Sequence, residues 1–238
     1  MDPLESHLKD QIDRHADFFW HRVRWKAVSA YLPRAESYTA LDVGAGAGIF
    51  GIYVERERPE ARYDFIEPIP SLATELEARF GADHNRSGND RLDDVRVVTL
   101  LDVLEHLERP DELLADLVAR TAPGTAFVVT VPAHRRLWSQ WDVALGHCRR
   151  YERAELRAVL EQASLEVLEI GFLFPELVPP AWWRARTRKA APSAEAEGAE
   201  FPRLPRPLDR TLLAVGSATV RARRFMPTGT SLFAAARR

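Results

Sequence analysis

The sequence is poor in the features that build disulfide frameworks, membrane spans and nonspecific nucleic-acid contacts. It contains a single cysteine, Cys148, which excludes an intrachain disulfide and a cysteine-built zinc site and suits a reducing cytoplasm. No apolar run approaches the length of a membrane span, and residues 1–17 lack the apolar segment of a secretory leader. The net charge of −2 gives no electrostatic footprint for nonspecific nucleic-acid binding.

The length favours one elaborated α/β domain. A chain of 238 residues can bury a proper core, whereas two full domains would be cramped. We expect a soluble, unprocessed, cytoplasmic protein, monomeric or homodimeric, with a small-molecule substrate, no nucleic-acid partner and no insertion into a membrane.

A glycine-rich stretch at residues 38–50 organises the rest of the chain. Residues 39–43 are a short apolar run with β-branched side chains, which predicts a buried parallel strand. Gly44, Gly46 and Gly48 follow directly. Because glycine lacks a Cβ, the backbone can turn sharply there and approach a ligand closely. A strand, a glycine turn and a helical pattern in this order are typical of a nucleotide-binding βαβ unit.

Two registers fit these glycines, and they predict different cofactors. The spacing of Gly46, Gly48 and Gly51 matches the dinucleotide fingerprint. Counted from Asp42, the stretch reads Asp-x-Gly-x-Gly-x-Gly, which resembles motif I of the class I S-adenosylmethionine-dependent methyltransferases. The second register fits better, because Gly44 already closes the strand where the fingerprint needs its first glycine.

Three further stretches bear on this resemblance. Glu67 follows the next predicted strand, roughly 20 residues after the glycines, where an acid accepts ribose hydroxyls in either register. Residues 100–107, Leu-Leu-Asp-Val-Leu-Glu-His-Leu, resemble the family's segment after its fourth strand. Residues 131–151 resemble a bacterial subgroup, of the type 11 or 12 kind, that carries Val-Pro-Ala, Leu-Trp-Ser and Gly-His-x-Arg-Arg-Tyr.

The resemblance implies a Rossmann-like α/β fold. It has a seven-stranded, mostly parallel sheet, helices on both faces and an antiparallel last strand. The sequence predicts strands over residues 39–43, 62–66, 95–103, 125–131, 165–174 and 230–236. It predicts helices over residues 3–31, 49–58, 70–80, 111–120, 152–163 and 208–224, with Ser71 as a helix cap.

The polar region 81–93 shows no clear strand where the family has its third. The acid that contacts adenine in the family therefore stays unassigned, with Asp83 and Asp90 as candidates. The predicted organisation is a helical cap at 1–36, a cofactor-binding core at 37–174 and a substrate-side elaboration at 175–238. Residues 186–206 are expected to form a mobile excursion.

The resemblance also implies a cofactor site for S-adenosylmethionine. Asp42 is expected to orient the turn formed by Gly44, Gly46 and Gly48, whose amides face the amino-acid portion of the cofactor. Glu67 is expected to accept both ribose hydroxyls. Asp102 is expected near the methionine portion.

Histidines are the candidate proton acceptors for a hydroxyl substrate, because imidazole titrates near neutral pH. We favour His147 over His106 and His134, since it lies with Asp142 in the loop after the fifth family strand, where open α/β sheets bind ligands. A purely structural network of His147 and Asp142 is an equal alternative. For His106, capping or packing beneath the pocket is the simpler role.

Residues on both sides of His147 are candidates for substrate contact. Arg149 and Arg150 can fork onto a carboxylate or phosphate, Trp138 and Trp141 can wall an apolar pocket, and Tyr151 closes the subgroup motif. We assign no metal ligands from the sequence.

The sequence thus predicts a methyltransferase that uses S-adenosylmethionine to methylate an O, N or C atom of a small-molecule or sugar- or lipid-linked metabolite. Two alternatives remain. One is an NAD(P)-dependent reductase that uses the other glycine register. The other is a non-catalytic methyltransferase-fold partner subunit, which the unassigned third-strand acid keeps open.

Overall fold

The computed structural model describes residues 17–34, 37–86, 90–187 and 204–238. The described strands are β1 (Tyr38–Val43), β2 (Ala61–Ile66), β3 (Val95–Leu101), β4 (Ala126–Pro132), β5 (Glu166–Leu173) and β6 (Ser231–Arg237). The described α-helices are α1 (Phe19–Val28), α2 (Ile49–Glu57), α3 (Pro70–Phe80), α4 (Pro110–Arg120), α5 (Gln140–Ala144), α6 (Arg153–Gln162), α7 (Val178–Thr187) and α8 (Arg206–Ala222). None of these helices is long and apolar enough to cross a bilayer.

The strands form one sheet in the order β2-β1-β3-β4-β6-β5. β1 pairs in parallel with β2 and β3, and β3 pairs in parallel with β4. β6 runs antiparallel between β4 and β5. Every residue of β1 is buried, as expected for a parallel strand covered on both faces. The predicted mostly parallel sheet with an antiparallel last strand is confirmed.

Helices cover both faces of this sheet. Successive strand residues point to opposite faces, so Leu41 packs in one core cluster with Leu114 of α4 and Leu160 of α6. Its neighbour Ala40 packs in a second cluster with Phe50 of α2, and this second layer also contains α1 and α8.

The predicted strand count of seven is corrected to six for the described part of the chain. In the region of the expected third family strand, Asn85 makes only an isolated parallel bridge to Phe65 of β2. The side chain of Asp64 is fully buried in the same strand, and it accepts hydrogen bonds from Arg62 at 2.8 Å and Arg86 at 2.6 Å. The described residues of this polar segment, 81–86 and 90–93, therefore satisfy a buried carboxylate at the sheet edge and supply no apolar strand.

Most helix bounds follow the sequence periodicity. α2, α3, α4, α6 and α8 begin and end within two residues of their predicted positions. The prediction of Ser71 as a cap was wrong, because Pro70 occupies the first turn and Ile69 precedes it without a side-chain cap. α5 and α7 were not predicted. Of the predicted helix at 3–31 and excursion at 186–206, residues 3–16 and 188–203 lie outside the described residues.

Helices α1 and α8 pack against each other beside the sheet. The Phe19 amide donates a hydrogen bond to Asp209 at 3.0 Å, and Lys26 Nζ donates to Ser217 at 2.6 Å. A Cβ on Gly216 would lie 2.7 Å from Val23 Cγ2, so glycine is needed for this close helix contact. Segments from the two ends of the chain are thereby brought together.

Candidate active site

The main cavity of the described chain lies at the carboxyl ends of β1, β2 and β3, and we call it the central cavity. Its volume is about 550 Å³, within the usual range for small-molecule sites. Its lining includes Trp20 of α1, Trp141 of α5, Arg184 of α7 and Leu212 of α8. The sequence identified Trp141 and predicted residues 175–238 as a substrate-side elaboration, but it did not predict which residues of α7 and α8 would line the cavity.

The glycine turn forms one wall of the central cavity, which Gly44 and Gly46 line. Gly44, Gly46 and Gly48 have φ angles of 69°, 55° and 69°, a backbone region that favours glycine. A Cβ on Gly44 would also lie 2.8 Å from Val103 Cγ2. Gly48 lies outside the cavity lining and precedes the first residue of α2.

Glu67 connects the turn to the end of β2. Its carboxylate accepts hydrogen bonds from the Gly46 amide at 2.7 Å and from the Ile69 amide at 2.8 Å. Burial raises the pKa of Glu67, although both amide hydrogen bonds oppose this shift. Each carboxylate oxygen retains capacity for a further donor, and the residue lines the cavity. This placement suits a carboxylate that recognises paired hydroxyls.

Asp42 lies on β1 beneath the turn. Thr99 Oγ1 donates to it at 2.8 Å and the Tyr63 hydroxyl donates at 3.4 Å. Burial raises the pKa of Asp42 to about 7, against the effect of these two hydrogen bonds. The described partners of Asp42 are thus side chains of β3 and β2, whereas the hydrogen bond to the glycine turn comes from Glu67.

Asp102 follows β3 and faces α1. Its φ angle of 61° is unusual for a residue with a side chain. Thr130 donates a hydrogen bond to it at 3.0 Å, and Arg24 pairs with it at 2.9 Å. Arg24 and Asp102 both line the central cavity. The sequence identified Asp102 but not Arg24, because nothing in the helix pattern marks which arginine turns inward.

Asp142 and His147 form a hydrogen-bonded pair in the segment after β4. His147 Nδ1 lies 3.0 Å from Asp142 Oδ1, and Arg150 Nε donates to the same oxygen at 2.6 Å. The other carboxylate oxygen caps α5 through the Ser139 amide at 2.9 Å. The pKa of Asp142 is lowered overall. Burial alone would raise this pKa, but the hydrogen bond from His147 and the charge of Arg150 outweigh burial. His147 lines the central cavity.

Glu105 and His106 complete a second cluster with His147. The two imidazole rings meet edge to face with centroids 4.8 Å apart. Burial and the neighbouring His147 lower the pKa of His106 to about 4. Burial, followed by the charge of Asp102, raises the pKa of Glu105 well above its usual range. The sequence placed Glu105 in the conspicuous segment 100–107 but assigned it no role.

Of the five candidate substrate residues, Trp141 and Arg150 line the central cavity and the other three lie outside its lining. Trp138 and Arg149 line a separate shallow pocket, and Tyr151 is buried with its hydroxyl donating to the Leu104 carbonyl at 3.1 Å. Arg150 lines the cavity, but its guanidinium donates to Asp142 and to the Ala133 carbonyl. Arg150 therefore supports the loop, and we do not assign substrate contacts to the other three.

These features define an α/β protein whose cavity, at the carboxyl ends of parallel strands, suits a nucleotide-like ligand and is lined by histidine and carboxylate groups. A family model described as a methyltransferase domain matches residues 14–170. The chain belongs to this methyltransferase domain family, so the family predicted from the sequence is confirmed. No curated protein matches the chain significantly by sequence.

Solved structures share this fold at low sequence identity. A chain from a complex that contains the Haloferax volcanii Trm112 methyltransferase activator is 18% identical, with a TM-score of 0.62 and coverage of 98% of this chain and 93% of that chain. A SAM-dependent methyltransferase from Archaeoglobus fulgidus is 15% identical, with a TM-score of 0.57 and coverage of 91% and 92%.

A cofactor complex is among the similar structures. Phosphoethanolamine N-methyltransferase 2 from Haemonchus contortus, in complex with S-adenosyl-L-methionine, is 13% identical, with a TM-score of 0.56 and coverage of 97% of this chain and 60% of that chain. At these identities the similarity shows the fold. Family and neighbours together support S-adenosylmethionine as the cofactor predicted from the sequence.

Proposed function

We propose that the chain binds S-adenosylmethionine in the central cavity and methylates an oxygen or nitrogen atom of a small-molecule or sugar- or lipid-linked acceptor. One observation carries this proposal. The cavity is lined both by predicted cofactor residues, such as Gly46, Glu67 and Asp102, and by the candidate proton acceptor His147. Cofactor and acceptor therefore have room in one enclosure.

The residues present fit the cofactor. Gly44 and Gly46 have backbone conformations that bring main-chain atoms to the cavity wall without a side chain between. Glu67 is held by two amides and can accept two ribose hydroxyls with its remaining lone pairs. Asp102, fixed by Arg24 and Thr130, is suited to the ammonium of the amino-acid portion. S-adenosylmethionine supplies an already activated methyl group on a positively charged sulfur.

The remaining task of the protein is to align the acceptor and manage its proton. Holding two reactants in the correct geometry supplies much of the rate in such a reaction. A hydrogen bond donated by Nδ1–H of His147 to Asp142 leaves Nε2 as the second ring nitrogen. In the neutral tautomer Nε2 carries a lone pair that can take the acceptor proton. Asp142 is thus a positioning residue that sets the tautomer and orientation of His147.

Apolar side chains shape the acceptor side of the cavity. Leu137, Leu145, Leu177 and Leu212 line it together with Trp141. Such a wall favours an acceptor with an apolar portion, because burying that portion is favourable. Fold and cofactor site leave the acceptor itself open.

A ligand titration tests the cofactor assignment. A ligand that binds only the native state stabilises it by RT ln(1 + [L]/Kd), about 2.7 kcal/mol at 100 Kd. We expect S-adenosylmethionine and S-adenosylhomocysteine to raise the unfolding temperature, and NADH and NADPH to leave it unchanged. A rise in unfolding temperature with NADH or NADPH alone would favour the reductase. No rise with any of the four ligands would favour the non-catalytic subunit.

Substitution of His147 tests the proton acceptor once an acceptor has been found by screening. His147→Asn should lower turnover by roughly 10²–10⁴-fold while the Kd for S-adenosylhomocysteine stays within about twofold. His134→Asn is the matched control, because His134 pairs with Glu152 and Thr228 away from the cavity lining. Loss of cofactor binding or of folding in His147→Asn would instead support the structural network.

A further inference from the structure

Three potential metal ligands converge on the wall of the central cavity. Glu105, His106 and His147 each offer one ligand atom, and these atoms lie within 4.8 Å of one another. All three residues line the cavity. Two imidazoles and one carboxylate are a ligand set that binds Zn²⁺ and other divalent first-row transition metals.

The environment of Glu105 is a second, independent observation that points to a bound cation. It is 0% exposed, and neither carboxylate oxygen has a hydrogen-bond partner in the described part of the chain. The nearby arginines are engaged elsewhere, since Arg24 pairs with Asp102 and Arg150 pairs with Asp142. Burying a carboxyl group without partners is unfavourable, and a cation held against it would remove the deficit.

The surroundings of His147 match those of a metal-bound histidine. Such histidines generally present one ring nitrogen to the metal and donate the other N–H to a carboxylate or carbonyl. Here Nδ1 of His147 is 3.0 Å from Asp142, whose side chain is itself fixed by Arg150 and the Ser139 amide. This arrangement leaves Nε2 for a ligand.

We propose that Glu105, His106 and His147 bind a divalent transition-metal ion, with Zn²⁺ as the best match, and that the fourth coordination position receives an oxygen atom of the methyl acceptor. Ligands at about 2.0–2.1 Å from a tetrahedral Zn²⁺ lie about 3.4 Å apart, so the side chains must close by up to about 1.4 Å. Rotation of the Glu105 and His106 side chains supplies a movement of this size while His147 keeps its contact with Asp142.

The ion refines the proton transfer of the proposed function, on which this inference rests. His147 Nε2 then acts as a metal ligand, and the cation performs the task otherwise given to the imidazole. A hydroxyl oxygen bound to the ion becomes more acidic, as a zinc-bound water does. The O–H proton passes to solvent and the electron pair remains on oxygen, ready for attack.

Metal titration of the full chain tests the site without cofactor or acceptor. Protein freed of metal by a chelator and desalted is titrated with Zn²⁺ by calorimetry and with Co²⁺ by visible absorption, which reports coordination geometry. We expect one ion per chain and a Co²⁺ spectrum of low coordination number. Glu105→Gln and His106→Asn should each weaken binding by more than about 100-fold, and Asp142→Asn by about 10–100-fold, as for outer-shell partners.

His134→Asn serves as the control and should leave metal affinity unchanged. Circular dichroism and the unfolding temperature verify that each variant is folded, and His106→Asn carries the test if Glu105→Gln is not. The proposed site would be refuted if the protein bound no ion saturably. It would also be refuted if folded Glu105→Gln and His106→Asn bound the ion as tightly as the wild type. Binding of S-adenosylmethionine is measured separately, on protein freed of metal by the chelator. Failure of the metal site can therefore be distinguished from failure of the proposed function.

Discussion

Removal of the Glu67 carboxylate is the most direct perturbation of the proposed cofactor site. In Glu67→Ala, the Gly46 and Ile69 amides lose their acceptor, and two ribose hydroxyls lose a charged partner. Hydrogen bonds to charged groups contribute about 1.5–3 kcal/mol each. Because the residue is half-buried and water can replace part of these bonds, we expect a loss of about 3 kcal/mol, or roughly 150-fold in Kd.

Isothermal titration of S-adenosylhomocysteine measures this change directly. Glu112→Ala is the matched control, since Glu112 pairs with Arg109 on the exposed surface of α4 and should leave the Kd unchanged. The unfolding temperature of unliganded Glu67→Ala shows separately how much the glycine turn is loosened. A folded Glu67→Ala protein whose Kd lies within twofold of the wild-type value would refute the ribose assignment.

Two further perturbations follow from the structure. Gly48→Ala should reduce the free energy of unfolding by about 1–2 kcal/mol, because Gly48 has a φ of 69° and a new Cβ would lie 2.6 Å from Leu76 Cδ2; a change below 0.5 kcal/mol in urea unfolding would contradict this. Burial raises the pKa of Glu169, but hydrogen bonds from Tyr31 and Arg224 and the charge of Arg223 outweigh burial and lower it. The stability that Glu169 contributes is therefore complete above its unfolded pKa, about 4.3, and is lost as pH falls through the lower folded pKa. The unfolding temperature of Glu169→Gln should consequently fall less steeply below pH 4.3 than that of wild type, and equal slopes would disprove the linkage.

The sequence determined the positions of the six described strands and of the glycine turn that lines the central cavity. Its strands are short apolar runs whose residues are buried on both faces, as in β1, so composition marks their positions. The glycine turn can also be predicted from local sequence. Gly44 and Gly46 adopt φ angles of 69° and 55°, which other residues disfavour. The spacing along the chain also predicts α2 directly after the turn and Glu67 directly after β2.

The tertiary structure decided which polar residues face the central cavity. Arg24 and Arg184 reach it from α1 and α7, helices that local sequence does not orient. Arg149 and Tyr151 belong to a conspicuous sequence motif. Their side chains nevertheless donate hydrogen bonds to the backbone carbonyls of Glu108 and Leu104, respectively. Side-chain direction depends on packing between elements distant in sequence, which a linear pattern does not contain.

The sheet edge, where the described residues form no seventh strand, and the Glu105 cluster show the same division. The sequence showed that the region after α3 lacks an apolar run, but only the fold shows that its Arg86 satisfies buried Asp64 at the sheet edge. Likewise the pair Glu105-His106 is plain in the sequence, whereas its approach to His147 depends on how the segment after β4 folds back over the end of β3. Local propensity sets which elements form, and long-range packing sets which functional groups meet.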